Sequence, residues 1–221
     1  MAAGDNSKDI LATVRARLGD RSGAIWSDAE LYAFINEGFM ELAHVLPDNA
    51  LPHLTKVQSA ALVAGTSYYD LPGDFLRARL VKYKTIVAKH WPAQEKEALR
   101  DDAILVPSQT NPFWYIEDND LYFSVSAVTQ AGSDTYELWY IKVPTTITAS
   151  VDPDMPEHYW DVVETYTVGR AMEPEKQLDM VKLFRAHFDE EVWLTGLRHA
   201  TPEEFEGVAF DPVLETLKPE G

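Results

Sequence analysis

The hydrophobic period changes twice along this chain, and these changes limit the folds open to it. Apolar residues recur at helical spacing up to about residue 50, cluster in short β-rich runs from about 54 to 143, and return to helical spacing after 156. Strands placed between two helical segments favour an α+β fold in which the terminal helices pack together. We therefore predict a helical bundle from the N- and C-terminal segments, an inserted β-rich subdomain and an extended C-terminal arm.

The period changes divide the chain into four predicted regions. Residues 1–50 hold the N-terminal helices, and residues 51–150 form the inserted β-rich subdomain. Residues 151–196 hold C-terminal helices that belong to the same domain as 1–50, and residues 197–221 form an extended docking arm. A chain of 221 residues is long enough to bury a core in one large or two small domains.

Capping residues locate the N-terminal helices. A first helix is predicted from Ser7, whose hydroxyl would cap it, to Leu18, with Gly19 ending it. Ser27 and Glu30 have the spacing of a capping box, in which a hydroxyl and a carboxylate satisfy free amides of the first helical turn. A second helix is therefore predicted to begin directly after Ser27.

Gly38 lies inside this second predicted helix, where glycine costs about 1 kcal/mol relative to alanine. Simple tolerance is one interpretation of the residue. The other, which we favour, is that Gly38 marks a point where another helix approaches closely.

The middle of the chain has the composition of a sheet. Its β-rich runs are bounded by Gly, Pro, Asn and Asp and cover residues 57–63, 76–83, 113–116, 121–125 and 135–143. The turn-forming sequence EDND at residues 117–120 predicts a hairpin between two of these runs. Helix is predicted again from Pro156, and Pro174 separates it from a further helix that ends at about Gly196.

The charge and the cysteine content restrict the function classes. The chain has 36 acidic and 19 basic residues, a formal net charge of −17, which disfavours sequence-independent binding to phosphate backbones. The charge fits simple solubility or a surface that DNA passes without sticking, and does not decide between them. The absence of cysteine excludes disulfides and thiolate sites and fits a reducing cytosol. We expect no membrane segment, because no apolar run approaches the roughly 18 residues that a span needs.

Motifs of the common enzyme classes are missing. The chain has no P-loop, dinucleotide-binding, zinc-protease or α/β-hydrolase motif, and its six histidines are scattered. Acidic pairs fall in predicted loops or tails, where solvated carboxylates are usual: residues 101–102, 117–118 and 203–204. Asp152 and Asp154 precede a predicted helix and are interpreted as turn and cap residues. We therefore expect a non-enzymatic protein without catalytic residues, metal or cofactor.

Four stretches occur in a distinctive order: WSDAEL at 26–31 followed by FINE at 34–37, YDLPGDFLR at 69–77, LWYIKVP at 138–144, and MPEHYWD at 155–161. In this order they resemble the capped second helix, the segment entering the sheet, the closing strand and the start of the C-terminal helix of tailed-phage head-to-tail connector adaptors. Gly38, where a residue such as alanine would be usual, and the acidic arm after Gly196 depart from the family pattern.

The resemblance implies a virion protein of the neck, assembled in the host cytoplasm as a ring, usually twelvefold, beneath the portal protein. Its partners would be the portal, neighbouring adaptor subunits and a downstream neck or tail protein, with DNA passing through the lumen without specific binding. A stopper or tail-completion protein is an alternative within the same class. An acidic DNA mimic that inhibits a host protein, and a carbohydrate-active enzyme, are alternatives from other classes.

The C-terminal arm supplies the candidate partner-binding residues. Acidic residues interleave with apolar ones that are too numerous for a solvent linker: Phe205, Val208, Phe210, Val213 and Leu214. We predict that these five side chains dock on the portal or on a neighbouring subunit. Folding back onto the C-terminal helices is the alternative.

Overall fold

A computed structural model describes residues 5–91, 108–124, 134–172, 186–190 and 192. They form a mixed α+β structure, which confirms the predicted fold class. They fall into two compact units, a helical unit within Met1–Leu54 and Pro144–Gly221 and a β-rich unit within Thr55–Val143. The predicted docking arm at residues 197–221 lies outside the described residues.

The helices with described bounds belong to the helical unit: α1 (Asp5–Leu18), α2 (Asp28–Val45) and α3 (Trp160–Met172). Short 3₁₀ turns occur at Asp48–Ala50, Pro52–Leu54 and Glu157–Tyr159. The last of these turns follows Pro156 and leads into α3, so the predicted C-terminal helix opens with a tighter turn than expected. Residues 186–190 are helical and lie within the range of the further C-terminal helix predicted after Pro174.

Helix α1 begins earlier than the sequence predicts. It starts at Asp5, so Ser7 lies inside the helix and the assignment of Ser7 as its cap is wrong. The sequence offers several neighbouring residues that suit a helix start, so local composition did not fix the first turn. Gly19 ends the helix as predicted, with a φ of +72° that glycine adopts at little cost.

A buried carboxylate organises the loop between α1 and α2. Asp20 is 3% exposed and accepts hydrogen bonds from the amides of Ala24 at 2.8 Å, Ile25 at 3.2 Å and Trp26 at 2.9 Å. The guanidinium of Arg15 lies 3.2 Å from the same carboxylate. These bonds, with that of Trp26 foremost, hold the pKa of Asp20 below its ordinary value. The loop therefore delivers the chain to α2 in a fixed geometry.

The predicted capping box begins α2. Ser27 Oγ accepts the amide of Glu30 at 3.3 Å, and the Glu30 carboxylate accepts the amide of Ser27 at 2.9 Å. The helix ends at Val45, two residues before Pro47, which cannot continue it. Both bonds confirm the prediction made from the S-x-x-E spacing.

Gly38 lies where α2 and α3 approach each other. A methyl group added there would stand 3.0 Å from Cδ1 of Tyr166 and 3.1 Å from Cγ1 of Val163. Both distances are shorter than those of most Cβ contacts in proteins, so a side chain larger than glycine would be sterically crowded. This confirms that Gly38 marks a close helix–helix approach. Ion pairs flank the packed helices: Arg17 of α1 lies 3.0 Å from Glu164, and Arg170 of α3 lies 3.0 Å from Glu37 of α2.

The β-rich unit contains eight described strands: β1 (Thr55–Ala61), β2 (Tyr68–Asp70), β3 (Phe75–Tyr83), β4 (Ile86–Val87), β5 (Lys89–His90), β6 (Phe113–Glu117), β7 (Asp120–Phe123) and β8 (Thr135–Lys142). The first sheet has the strand order β1-β8-β3-β4, and the second sheet has the order β2-β7-β6-β5. All pairs are antiparallel except β5 with β6. The sequence did not predict the short strands β2, β4 and β5.

The predicted hairpin joins β6 and β7. Its two central residues, Asp118 and Asn119, have φ values of +49° and +69°, the left-handed conformations that a two-residue type I′ turn requires. Glu117 pairs with Asp120 at the end of the ladder. Asn and Asp tolerate this conformation better than other non-glycine residues, which explains the composition of the turn.

The inner faces of the two sheets share one apolar core. From the first sheet come Val81, Tyr83, Tyr136, Leu138 and Tyr140, and from the second Trp114, Leu121 and Phe123. Because side chains alternate along a strand, the residues between them point away from this core. The unit is thus a two-layer sandwich with two outer faces.

Candidate interaction surface

The outer face of the first sheet, called the basic face below, combines apolar and cationic side chains. Val57, Trp139 and Leu80 lie in one row across β1, β8 and β3. Val57 is 47% exposed and Val87 on β4 is 54% exposed. Exposed aliphatic side chains grouped with a tryptophan are typical of a surface that contacts another protein.

Cations outnumber carboxylates on the basic face. Arg77 and Lys82 are in register with the outward residues Ile141 and Glu137, and Arg79, at a break in the register, donates to the Thr55 hydroxyl of the same face at 3.3 Å. Glu137 is the carboxylate in these rows of described residues. The ammonium group of Lys82 lies 3.0 Å from Glu137 and 5.4 Å from the centre of the Trp139 ring. The Lys82 bond is the main reason why the pKa of Glu137 is below its ordinary value. The described residues of this face therefore carry a net positive charge despite the strongly acidic chain.

The outer face of the second sheet, called the tyrosine face below, carries three aromatic rings in register. Tyr68, Tyr122 and Tyr115 are aligned across β2, β7 and β6. The rings of Tyr115 and Tyr122 are stacked with centres 5.1 Å apart and planes 9° apart, and Tyr68 follows at 5.7 Å. The spacing of the stacked pair is close to that of neighbouring strands, as expected of rings that stand side by side on one face, whereas the Tyr68 ring is tilted by 34° from that of Tyr122.

A row of carboxylates lies on the tyrosine face two residues along each strand from the tyrosines. Asp70, Asp120 and Glu117 occupy one register row across the same three strands. Burial, followed by the charges of Asp120, Glu117 and Asp118, raises the pKa of Tyr122. Like charges directly opposite each other in a sheet are unfavourable, so this row would be stabilised by an external cation.

Asp74, from the YDLPGDFLR stretch, ties the start of β3 to its neighbours. Its carboxylate lies 2.6 Å from the Lys56 ammonium group and accepts the Tyr140 hydroxyl at 2.8 Å. The Lys56 bond is the main cause that holds the pKa of Asp74 below its ordinary value. Burial, followed by the Asp74 bond, raises the pKa of Tyr140 to about 12. This part of the stretch therefore acts in folding.

Alkaline pH is expected to weaken the β-rich unit through Tyr140. The folded state holds this hydroxyl neutral to about pH 12, whereas an unfolded tyrosine ionises near 10. The resulting stabilisation, roughly 2–3 kcal/mol, is fully present below pH 10 and is lost as the pH rises to 12. Unfolding free energies across this range should fall less steeply for Tyr140→Phe than for the wild type. An equal fall of the unfolding free energy with pH in both proteins would contradict the role of Tyr140 in this pH dependence.

In the helical unit, Asn36 of the FINE stretch joins α2 to the segment that follows the β-rich unit. Its side-chain amide donates to Ile147 O at 3.0 Å and to Tyr32 O at 2.7 Å, and its oxygen accepts the Ile147 amide at 2.6 Å. We call these hydrogen bonds between Asn36 and Ile147 the clamp. An open cavity of about 530 Å³ lies beside the clamp, and another of about 370 Å³ adjoins Arg15 and Ser27. We infer a structural role for Asn36.

The predicted partner-binding residues Phe205, Val208, Phe210, Val213 and Leu214 lie outside the described residues, so their role stays a prediction. The acidic pair at 101–102 lies outside them too. Asp154 accepts the amide of Thr145 at 2.8 Å, as expected of a turn residue. The basic and tyrosine faces were missed in the sequence, although the outward positions of Tyr68, Tyr115 and Tyr122 could have been found from strand alternation.

Within the described ranges, no group of three or more histidine, aspartate or glutamate residues could hold a metal ion. In the same parts of the chain, no helix has the length and apolarity of a membrane-spanning helix.

The described residues thus define an α+β protein whose two sheets carry exposed apolar and aromatic side chains on their outer faces. A family model described as SU10 adaptor protein matches residues 5–195. The chain therefore belongs to the SU10 adaptor protein family, a family of phage head–tail adaptors, which confirms the resemblance found in the sequence. It is a structural protein of the virion that contacts other head or neck proteins. A comparison with curated proteins finds no match.

Proposed function

We propose that this adaptor forms a ring beneath the portal protein, extends the DNA channel and provides the attachment surface for neck and tail proteins. Membership of a head–tail adaptor family is the observation that carries the proposal. The ring is built of identical subunits, twelve if it matches the symmetry usual in such adaptors. Assembly takes place in the host cytoplasm, and the protein has no catalytic function.

The electrostatics of the chain support a passive channel. A net charge of −17 disfavours contacts with the phosphate backbone, so DNA that moves along an acidic surface meets little adhesion. The helical bundle and its docking arm supply the attachment surfaces.

The arm, residues 197–221, gives the proposal its most direct test. Burial of one apolar side chain contributes roughly 1.5–3 kcal/mol, whereas ordering one backbone residue costs about 1–2 kcal/mol. By these figures, burying five apolar side chains spread over ten residues gains about as much free energy as ordering those residues costs, and a groove on a partner protein would supply further stabilisation. We propose the portal or a neighbouring subunit as that partner.

Deletion of residues 201–221 is expected to leave a folded subunit that no longer attaches to portal-bearing heads. Attachment is measured by sedimentation of the purified full-length and truncated chains with heads that lack this protein. A loss of at least tenfold in bound protein is expected, because about 1.4 kcal/mol already corresponds to that factor.

A full-length variant separates apolar docking from charge. The five apolar residues Phe205, Val208, Phe210, Val213 and Leu214 are replaced by serine, and this variant should fail like the truncation. The matched control replaces Glu203, Glu204 and Glu206 by glutamine and should still attach. Full attachment of the truncated chain would rule out the docking role of the arm.

A further inference from the structure

We infer that the basic face of one copy binds the tyrosine face of the next copy, so that the β-rich units associate head to tail. This inference rests on the proposed ring, and it assigns the surfaces that form the contact between subunits. Both faces belong to the β-rich unit.

Charge is the first argument. Arg77, Arg79 and Lys82 give the basic face its positive charge, and Asp70 and Asp120 belong to the carboxylate row of the tyrosine face. Two copies that meet through identical faces would bring like charges together. Two copies that meet through opposite faces would place cations against the carboxylate row and relieve its internal repulsion. Because the chain as a whole carries −17, attraction between copies requires a local complementarity of this kind.

The second argument is the shape of the tyrosine row. Upright, stacked rings present their edges and hydroxyl groups, so the row offers no flat platform for a sugar ring or a nucleobase. Tyr68, at the edge of the sheet, is 51% exposed. Arginine and lysine suit such a surface, because they donate hydrogen bonds to hydroxyl groups and carboxylates. Val57 and Val87 on the opposite face supply apolar area.

Topology is the third argument. The two faces lie on opposite sides of one sandwich, because the inner faces of its sheets share a core. The two faces of one chain therefore cannot bind each other. Each copy carries both of the surfaces that form the contact. A contact of this heterologous kind repeats from copy to copy and closes into a ring when the rotation permits.

The absence of cysteine allows a clean crosslinking test. Ser59 lies on β1 at an exposed position of the basic face, and Ser67 lies exposed beside Tyr68. Ser59→Cys, Ser67→Cys and the double variant of the full chain are treated with a short bis-maleimide, both in concentrated solution and on portal-bearing heads. The double variant should give a ladder of covalent oligomers. Each single variant should stay monomeric, and an equimolar mixture of the two should give dimers only.

Charge reversal tests the specificity of the contact. Arg79→Glu or Asp120→Lys, introduced into the double-cysteine chain, should lower the ladder yield by roughly fivefold at low salt, with weaker effects at high salt. Mixing the two reversed chains should recover much of the yield, because each then offers the face that the other lacks.

Two outcomes overturn the inference. Dimers from a single-cysteine variant alone would show that identical faces meet, and the absence of a ladder in both settings would show that the faces do not meet. Sedimentation of the wild-type chain with heads, measured in parallel, tests the adaptor function separately. A chain that attaches to heads but yields no ladder refutes only the face assignment, whereas a ladder without attachment refutes only the proposed function.

Discussion

Valine in place of Gly38 is expected to destabilise the helical unit by about 3 kcal/mol or more. Its Cβ would stand 3.0 Å from the Tyr166 ring and 3.1 Å from Val163, and two further methyl groups must find space. Tyr166 has little room to retreat, because its ring packs on Phe188 with centres 5.2 Å apart. Hydrogen exchange of the α2 and α3 amides should accelerate while that of β3 and β8 stays unchanged.

Two companion variants test this explanation. Gly38→Ala gains about 1 kcal/mol of helix propensity and loses about 1–3 kcal/mol to crowding, so its net cost of about 0–2 kcal/mol should be smaller than that of valine. Val163→Ala in the valine background should recover stability, with a coupling energy of about 1 kcal/mol or more. Wild-type stability of the Gly38→Val chain would show that the helices separate freely.

Alanine in place of Asn36 is expected to cost about 2–6 kcal/mol. The substitution leaves both the amide and the carbonyl of Ile147 without the Asn36 partner, and each unsatisfied group costs about 1–3 kcal/mol. The buried Ile147 side chain holds this segment in place, so the backbone groups have little freedom to find water. The most specific readout is the exchange rate of the Ile147 amide, which should rise before global unfolding.

Two controls accompany the Asn36 variant. Thr146→Ala alters the exposed neighbouring residue and should change neither stability nor the exchange of Ile147. Asn36→Asp keeps an oxygen that can accept the Ile147 amide but removes the donor, and its effect should lie between those of wild type and alanine. Unchanged slow exchange at Ile147 in the alanine variant would exclude the clamp.

Local chemistry made much of the fold predictable. The Ser27–Glu30 capping box, the helix stop at Gly19 and the turn at residues 117–120 each depend on side chains a few residues apart. The close approach at Gly38 was also predictable, because glycine destabilises a helix relative to alanine and close packing against another helix can offset that cost. The start of α1 was misplaced because several residues suitable for a helix start stand side by side.

Long-range pairing made the rest unpredictable. The clamp joins Asn36 to Ile147, which are far apart in the chain, and no local pattern links them. The short strands β4 and β5 have only two residues each, too few to show a period. The tyrosine row arises only when β2, β6 and β7 pair in one register, and residues in the strands alone do not set that register.

The insertion of the β-rich unit between α2 and α3 has a consequence for protein synthesis. A ribosome that adds about 5–20 residues per second needs roughly 5–20 seconds to advance from Leu54 to Trp160. During that time α2 has emerged, but the helix that covers Gly38 does not yet exist. The stretch Thr55–Val143 is continuous and is complete earlier. The β-rich unit is therefore expected to fold before the helical unit. Until α3 is synthesised, the apolar side of α2 is the surface to which a chaperone would bind.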